Sequence, residues 1–163
     1  QNFQDEEVIY PYYRLQELND CQVDLATPNG DVMYGKYGTP ARANVDANKL
    51  NADNYDLVVI PGGFEAPDRL RIIKEVTDFV ADMNEKGKLI AFICHGAWVG
   101  ISAKIMKARK ATCYIAVKDD IENAGATYID DEIVVDGNMI SSPHYRDNPI
   151  WMKTVVEELE NLR

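Results

Sequence analysis

Between Asp56 and Ile60, and again between Lys88 and Ile93, the chain is almost continuously apolar. A strand with one face in water alternates apolar and polar residues. Unbroken apolar runs of this length therefore mark strands covered on both faces, the centre of a parallel sheet. Each run ends on unusual residues, Pro61-Gly62-Gly63 after the first and Cys94-His95-Gly96 after the second. In sheets of this kind, ligands bind beyond the carboxyl ends of the strands. Both strand ends are thus candidates for one site.

The rest of the chain fits the same architecture. Val8, Ile9, Tyr12, Tyr13, Leu15 and Leu18 recur at helical spacing and predict a helix over Glu6–Leu18, with Pro11 near its start. A short strand is expected over Gln22–Ala26, closed by the turn Pro28-Asn29-Gly30. Residues 31–54, rich in Gly, Asn and Asp, read as a small β-ribbon excursion with strand pieces at Val32–Tyr34 and Ala43–Val45. Helices are expected over Ile72–Glu85, Ala97–Lys107, Val117–Ala124 and Pro149–Leu162. Strands are expected at Ala111–Tyr114, Thr127–Ile129, Ile133–Val135 and Asn138–Ser142. Alternating strands and helices define an α/β sandwich, with helices on both faces of a mainly parallel sheet. All 163 residues form one domain, without repeat or linker. Such a fold ordinarily begins with a buried strand, whereas this sequence opens Gln1-Asn2-Phe3-Gln4-Asp5. The expectation is a short apolar strand upstream.

Charge and cysteine usage narrow the function classes. Seventeen basic against twenty-seven acidic residues give a net charge of −10, which repels phosphate backbones and anionic lipid. The basic group Lys104, Lys107, Arg109 and Lys110 reads as cations near a helix C-terminus. Nucleic acid and membrane are not expected partners, and the absence of a long apolar run or a leader pattern points to a cytoplasmic protein. Cys21, Cys94 and Cys113 form no CxxC pair, so neither a disulfide framework nor a zinc site is indicated. Only His95 and His144 are available as imidazole ligands. No metal and no cofactor are expected.

Cys94 falls where a buried strand meets a helix, the position of a nucleophile elbow. The helix end and its free amides are expected to favour thiolate over thiol. His95, adjacent in sequence, is expected to project away from the sulfur, while its backbone amide serves an oxyanion. Gly62 and Gly63 permit close backbone approach and a second donor. Cys21, beginning an early strand, and Cys113, inside another, read as packing residues. Glu7 and Asp68 read on their own as acids at helix starts.

These motifs together resemble the ThiJ/PfpI superfamily, and most closely its PfpI-type intracellular peptidase branch. The resemblance rests on Glu7-Val8-Ile9-Tyr10-Pro11-Tyr12, Pro61-Gly62-Gly63, Ala66-Pro67-Asp68-Arg69-Leu70-Arg71 and Ile93-Cys94-His95-Gly96. It continues through Lys118-Asp119-Asp120, Asn123-Ala124-Gly125 and Val134-Val135-Asp136-Gly137-Asn138. It implies a flavodoxin-like three-layer sandwich, Cys94 as the reactive cysteine, and Glu7 as an acid sharing a hydrogen bond with the sulfur. It further implies His95 oriented by Asp68 of a neighbouring subunit in a homo-oligomer, and Tyr114 beside the site. His144 stands after Ser141-Ser142 where many relatives carry an arginine, and reads as an exposed loop residue. Three functions follow from the resemblance. The first is a cysteine hydrolase of peptide or amide carbonyls, with His95 shuttling protons. The second is a glutathione-independent glyoxalase or deglycase acting on reactive aldehydes, and the third a non-enzymatic redox sensor or holdase.

Overall fold

The strand Leu89–Ile93 (β6) is buried at every position, because its side chains alternate between two separate cores. Ile90 and Phe92 face one core; Leu89, Ala91 and Ile93 face the other. Around it the computed structural model, which describes residues 1–162, is an α/β sandwich. The elements in chain order are α1 (Asp5–Gln16), β1 (Ala26–Thr27), β2 (Met33–Tyr34), β3 (Pro40–Ala41), β4 (Val45–Asp46), β5 (Leu57–Ile60), α2 (Ala66–Leu70) and α3 (Lys74–Glu85). After β6 follow α4 (Ala97–Ser102), β7 (Lys110–Ala111), α5 (Lys118–Asn123), β8 (Thr127–Tyr128), β9 (Val134–Asp136), β10 (Met139–Ser142) and α6 (Asn148–Asn161).

The main sheet has the order β5-β6-β10-β9. β5 and β10 run parallel to β6 on either side, in the registers Ile60↔Phe92 and Ser142↔Ile93, and β9 closes the far edge antiparallel. One face is covered by Phe79, Val80 and Met83 of α3, Val99 of α4 and Ile121 of α5. Leu15 of α1 and Trp151, Met152, Val155 and Leu159 of α6 cover the other. Burying a side chain of this size contributes roughly 1.5–3 kcal/mol, so the two cores dominate the stability.

On its other side β5 pairs with no strand among the described residues. A cavity of about 760 Å³ runs along this edge, bounded by Leu57, Val58 and Val59 on one side and by Gln22–Leu25 on the other. The strand expected over Gln22–Ala26 is correspondingly reduced to Ala26–Thr27, which pairs parallel with β4 rather than with the main sheet. The ribbon excursion has a different second strand from the one expected: β2 pairs antiparallel with β3, Met33 opposite Ala41, whereas the piece expected at Ala43–Val45 survives only at Val45, which lies in β4 and pairs with β1.

Other expectations are corrected in detail. Pro11 lies in the second turn of α1, not near its start, and cannot donate to the carbonyl of Glu7 four residues back. α2 precedes the helix range expected from Ile72 and accords with the reading of Asp68 as a helix-start acid; Pro67 in its first turn initiates it. The helix expected to reach Lys107 stops at Ser102, because Lys104 (φ 59°) and Ala108 (φ 62°) adopt left-handed backbone that a helix cannot continue. The basic group from Lys104 to Lys110 therefore lies beyond the helix. Cys113 is buried but outside β7, and Cys21 lies in a loop. No helix among the described residues is long and apolar enough to cross a membrane.

Candidate active site

β5 and β6 end side by side, so the loop from Pro61 and the turn at Cys94 meet above the sheet. Cys94 adopts φ 60°, the left-handed region that costs a non-glycine residue about 1–2 kcal/mol. This turn lifts the sulfur off the strand axis and leads through His95 and Gly96 into α4. Gly62 makes the convergence possible. A Cβ there would stand 2.5 Å from Glu7 Oε2, 2.7 Å from Cys94 Cβ and 3.0 Å from the His95 amide nitrogen. Gly63, at φ 90°, is pressed against the backbone of Asn2, Phe3 and Gln4, and the Gln4 amide donates to the Gly62 carbonyl at 3.2 Å.

Glu7 enters from α1 and is fully buried. Its Oε2 accepts the Gly62 amide at 2.6 Å, whereas Oε1 is buried without a hydrogen-bond partner among the described residues. Burial lifts the carboxyl from 4.5 to about 7, opposed by the Gly62 amide and the neighbouring Cys94 thiol. Burial, then the charge of Glu7, push the Cys94 thiol up to about 12, while hydrogen bonds from the amides of His95 and Gly63 pull the other way. The two groups form a coupled pair, in which the charge of either disfavours the charge of the other.

This corrects the expectation of a thiol held ionised by a helix end. α4 has only six residues and begins three positions beyond Cys94. The donors to the sulfur are two loop amides, and the resting sulfur is a thiol when Glu7 is ionised. The orientation of His95 is corrected as well. Its ring does not project away: Nδ1 lies 3.1 Å from Cys94 Sγ. The ring is stacked on Tyr114 at 4.9 Å between centroids and meets the edge of Trp98 at 5.0 Å. Burial, then the nearby Lys36 charge, lower its pKa, so at neutral pH it is an uncharged proton acceptor.

Tyr114 is further tied to the elbow by its amide, which donates to the Cys94 carbonyl at 3.3 Å. Asp68 is exposed on α2 and makes no side-chain hydrogen bond or ion pair among the described residues. The chain itself thus brings together Cys94, His95, Glu7, Gly62, Gly63 and Tyr114, and leaves Asp68 apart. His144 is half-buried rather than a free loop residue. Its ring lies 6.2 Å from that of Tyr114 and 4.2 Å from that of Tyr145, and its Nδ1 accepts the Arg146 amide at 3.2 Å. Two contributors were missed in the sequence. Trp98, whose Nε1 donates to Asp120 at 2.8 Å, walls one side of His95. Lys36 comes from the β2–β3 turn, and nothing local in Tyr34-Gly35-Lys36-Tyr37 marks it. No group of three or more His, Cys, Asp or Glu among the described residues is arranged to hold a metal.

The arrangement is that of an α/β protein with a cysteine elbow, an adjacent imidazole and a buried acid. The DJ-1/PfpI family profile matches residues 1–158, and the chain belongs to this family. It is similar to "Deglycase PfpI" of Pyrococcus furiosus, at 41% identity over 97% of this chain and 94% of that protein. It is also similar to "Putative cysteine protease YraA" of Bacillus subtilis, at 32% identity over 86% of this chain and 82% of that one. Among solved structures, a two-domain protein from Anabaena variabilis containing DJ-1/ThiJ/PfpI-like and ferritin-like domains superimposes with a TM-score of 0.93 at 35% identity. The match covers 98% of this chain and 48% of that one, so the chain spans about half the length of that protein.

Proposed function

We propose that this chain is a Cys94-dependent deglycase or glyoxalase acting on 2-oxoaldehydes, free or condensed on another molecule. The observation that carries this reading is the buried Glu7 carboxyl beside the sulfur, with a pKa of about 7. An acid poised near neutrality both accepts and returns a proton, which is what moving hydrogen between adjacent carbons requires. The name of the Pyrococcus relative supports the same choice.

In the simplest case the sulfur adds to the aldehyde carbon, forming the S–C bond as the C=O π bond breaks. The thiol proton passes through His95 Nδ1 or Glu7 to the new alkoxide, which sits against the amides of Gly63 and His95. Glu7 then removes the hydrogen from the hemithioacetal carbon and returns a proton to the neighbouring carbon. This converts the hemithioacetal into a thioester, with no net oxidant. Water, deprotonated by His95, cleaves the thioester to a 2-hydroxy acid and regenerates the thiol. Methylglyoxal would give lactate.

A second reading is favoured by the 3.1 Å contact between Cys94 and His95 and by the name of the Bacillus relative. In it the pair hydrolyses peptide or amide carbonyls, with Asp68 supplied by a neighbouring copy in a homo-oligomer to orient His95. Incubation with methylglyoxal and with a fluorogenic peptide separates the two. The first reading expects lactate formation that Cys94→Ala and Glu7→Gln abolish and Asp68→Ala spares. Peptide turnover lost in Asp68→Ala, without aldehyde consumption, overturns it.

A further inference from the structure

His95 has two ways to lie beside Cys94, and its own torsions do not choose between them. The outer torsion of an imidazole side chain is broad and roughly two-fold, so a half-turn exchanges Nδ1 for Cδ2. With Nδ1 at 3.1 Å from Sγ, the ring can take the thiol proton; with Cδ2 there it cannot. This contact is the single hydrogen-bonding contact of the ring among the described residues, so no acid of the chain orients it.

Aromatic neighbours orient it instead. Tyr114 stacks on the ring at 4.9 Å and 27°, and the Tyr114 amide is bonded to the Cys94 carbonyl at 3.3 Å. Trp98 meets the ring at 5.0 Å and 69°. A spacing of three residues, across the turn that leads into α4, brings His95 and Trp98 to one side of the helix. The indole is itself fixed. Its Nε1 donates to Asp120 Oδ2 of α5 at 2.8 Å, and the Arg71 guanidinium, at the end of α2, lies 5.6 Å from its ring centroid. Arg71 in turn donates from Nε to Ser102 Oγ at 3.0 Å, one turn further along α4. Three helices thus converge on one half-buried side chain, which presses on the ring that faces the sulfur.

We propose that Trp98, keyed by Asp120 and Arg71, is a positioning residue that holds Nδ1 of His95 rather than Cδ2 against Cys94, so that packing within one chain orients the ring in place of an acid from a neighbouring copy. The role rests on the proton transfer common to both readings of the function, not on the choice between aldehydes and amides.

The test is alkylation of Cys94 by iodoacetamide near neutral pH, followed by mass spectrometry of its peptide. Sγ bonds to carbon, iodide leaves with the electron pair of the C–I bond, and the thiol proton passes to Nδ1 and on to water. His95→Asn, without a basic ring nitrogen, sets the floor. Trp98→Ala is expected to lose about tenfold in rate and to approach that floor, a part of what a general base supplies. Asp120 is exposed and bonds to the indole, not to His95, so its substitutions read the keying alone. Asp120→Ala is expected to lose about threefold, the scale of one hydrogen bond. Asp120→Asn, whose amide oxygen still accepts the indole N–H, is expected to recover the parent rate. Matching urea midpoints for the two Asp120 proteins show that the difference is not unfolding.

A Trp98→Ala rate equal to that of the parent overturns the proposal, as does an Asp120→Asn rate as low as that of Asp120→Ala. A His95→Asn rate no lower than the parent's overturns it too, because the ring then moves no proton. So does a larger loss in Asp68→Ala than in Trp98→Ala, which assigns the orientation to the acid of a neighbouring copy. Turnover of methylglyoxal separates positioning from binding: Trp98→Ala is expected to lower kcat by a similar factor with KM little changed. A raised KM with kcat unchanged overturns the positioning role. If the parent consumes no aldehyde while the order of alkylation rates holds, the deglycase reading fails and the positioning stands.

Discussion

Glu7 and Gly62, 55 residues apart in sequence, are joined by a 2.6 Å hydrogen bond from the Gly62 amide to Oε2, while the other carboxyl oxygen lies buried without a partner. A carboxylate satisfied on one side only is costly to ionise, and that cost raises its pKa to about 7. It also makes Glu7 the most informative residue to change.

The first consequence concerns stability. The folded pKa of Glu7 lies above its unfolded value of 4.5, so the native state binds the proton more tightly. The contribution is fully present below about pH 4.5 and is lost as pH rises through about 7. The scale is about 3 kcal/mol for a shift of this size. Glu7→Gln, permanently uncharged, is expected to resist urea better than the parent at pH 8 and to lose that advantage by pH 4. Parallel curves at the two pH values would refute the assignment.

Reactivity of the sulfur should follow the same pair. Alkylation of Cys94 by iodoacetamide is expected to rise through about pH 7, as the pair loses its first proton, and to rise again toward pH 12. In Glu7→Gln the lower limb disappears. With the negative neighbour gone, the single remaining ionisation falls below 12.

Gly62→Ala tests the close approach. The new methyl would stand 2.5 Å from Glu7 Oε2 and 2.7 Å from Cys94 Cβ, so the acid or the elbow must move. A loss of roughly 1–3 kcal/mol in denaturant titration is expected from overpacking, together with loss of the pH 7 limb of Cys94 alkylation. Val59→Ala, on the strand that leads into Gly62, is expected to lower stability while keeping that limb.

The backbone of Cys94 makes a fourth prediction. At φ 60° a glycine is unstrained and an alanine is not. Cys94→Gly is expected to unfold at higher denaturant than Cys94→Ala, by roughly 1 kcal/mol. The reverse order would show that the turn is not strained.

Much of this was legible in the sequence, and for an identifiable reason. Leu57–Ile60 and Leu89–Ile93 declare themselves because burial on both faces leaves no room for polar residues. Cys94 then stands out as the first polar atom beyond such a run. What the sequence withheld depends on contacts between distant segments. The rotation of the His95 ring onto Sγ is set by Tyr114 and Trp98, which box it from two sides. The ionisation of the sulfur was misjudged because a helix end was weighed and the desolvation of the pair was not. Lys36 was invisible because its place is fixed by Asp5 and Phe3, more than thirty residues away.

The side of Leu57–Ile60 that pairs with no strand among the described residues has a cost of its own. A row of backbone amides and carbonyls facing an oily trough is a template for polymerisation, since any extended run that enters it gains a ladder of hydrogen bonds and sheds water at once. Concentrated or warmed solutions of a polypeptide made of these 163 residues alone should therefore self-associate through that trough. Handling it well means filling the trough or charging its lip.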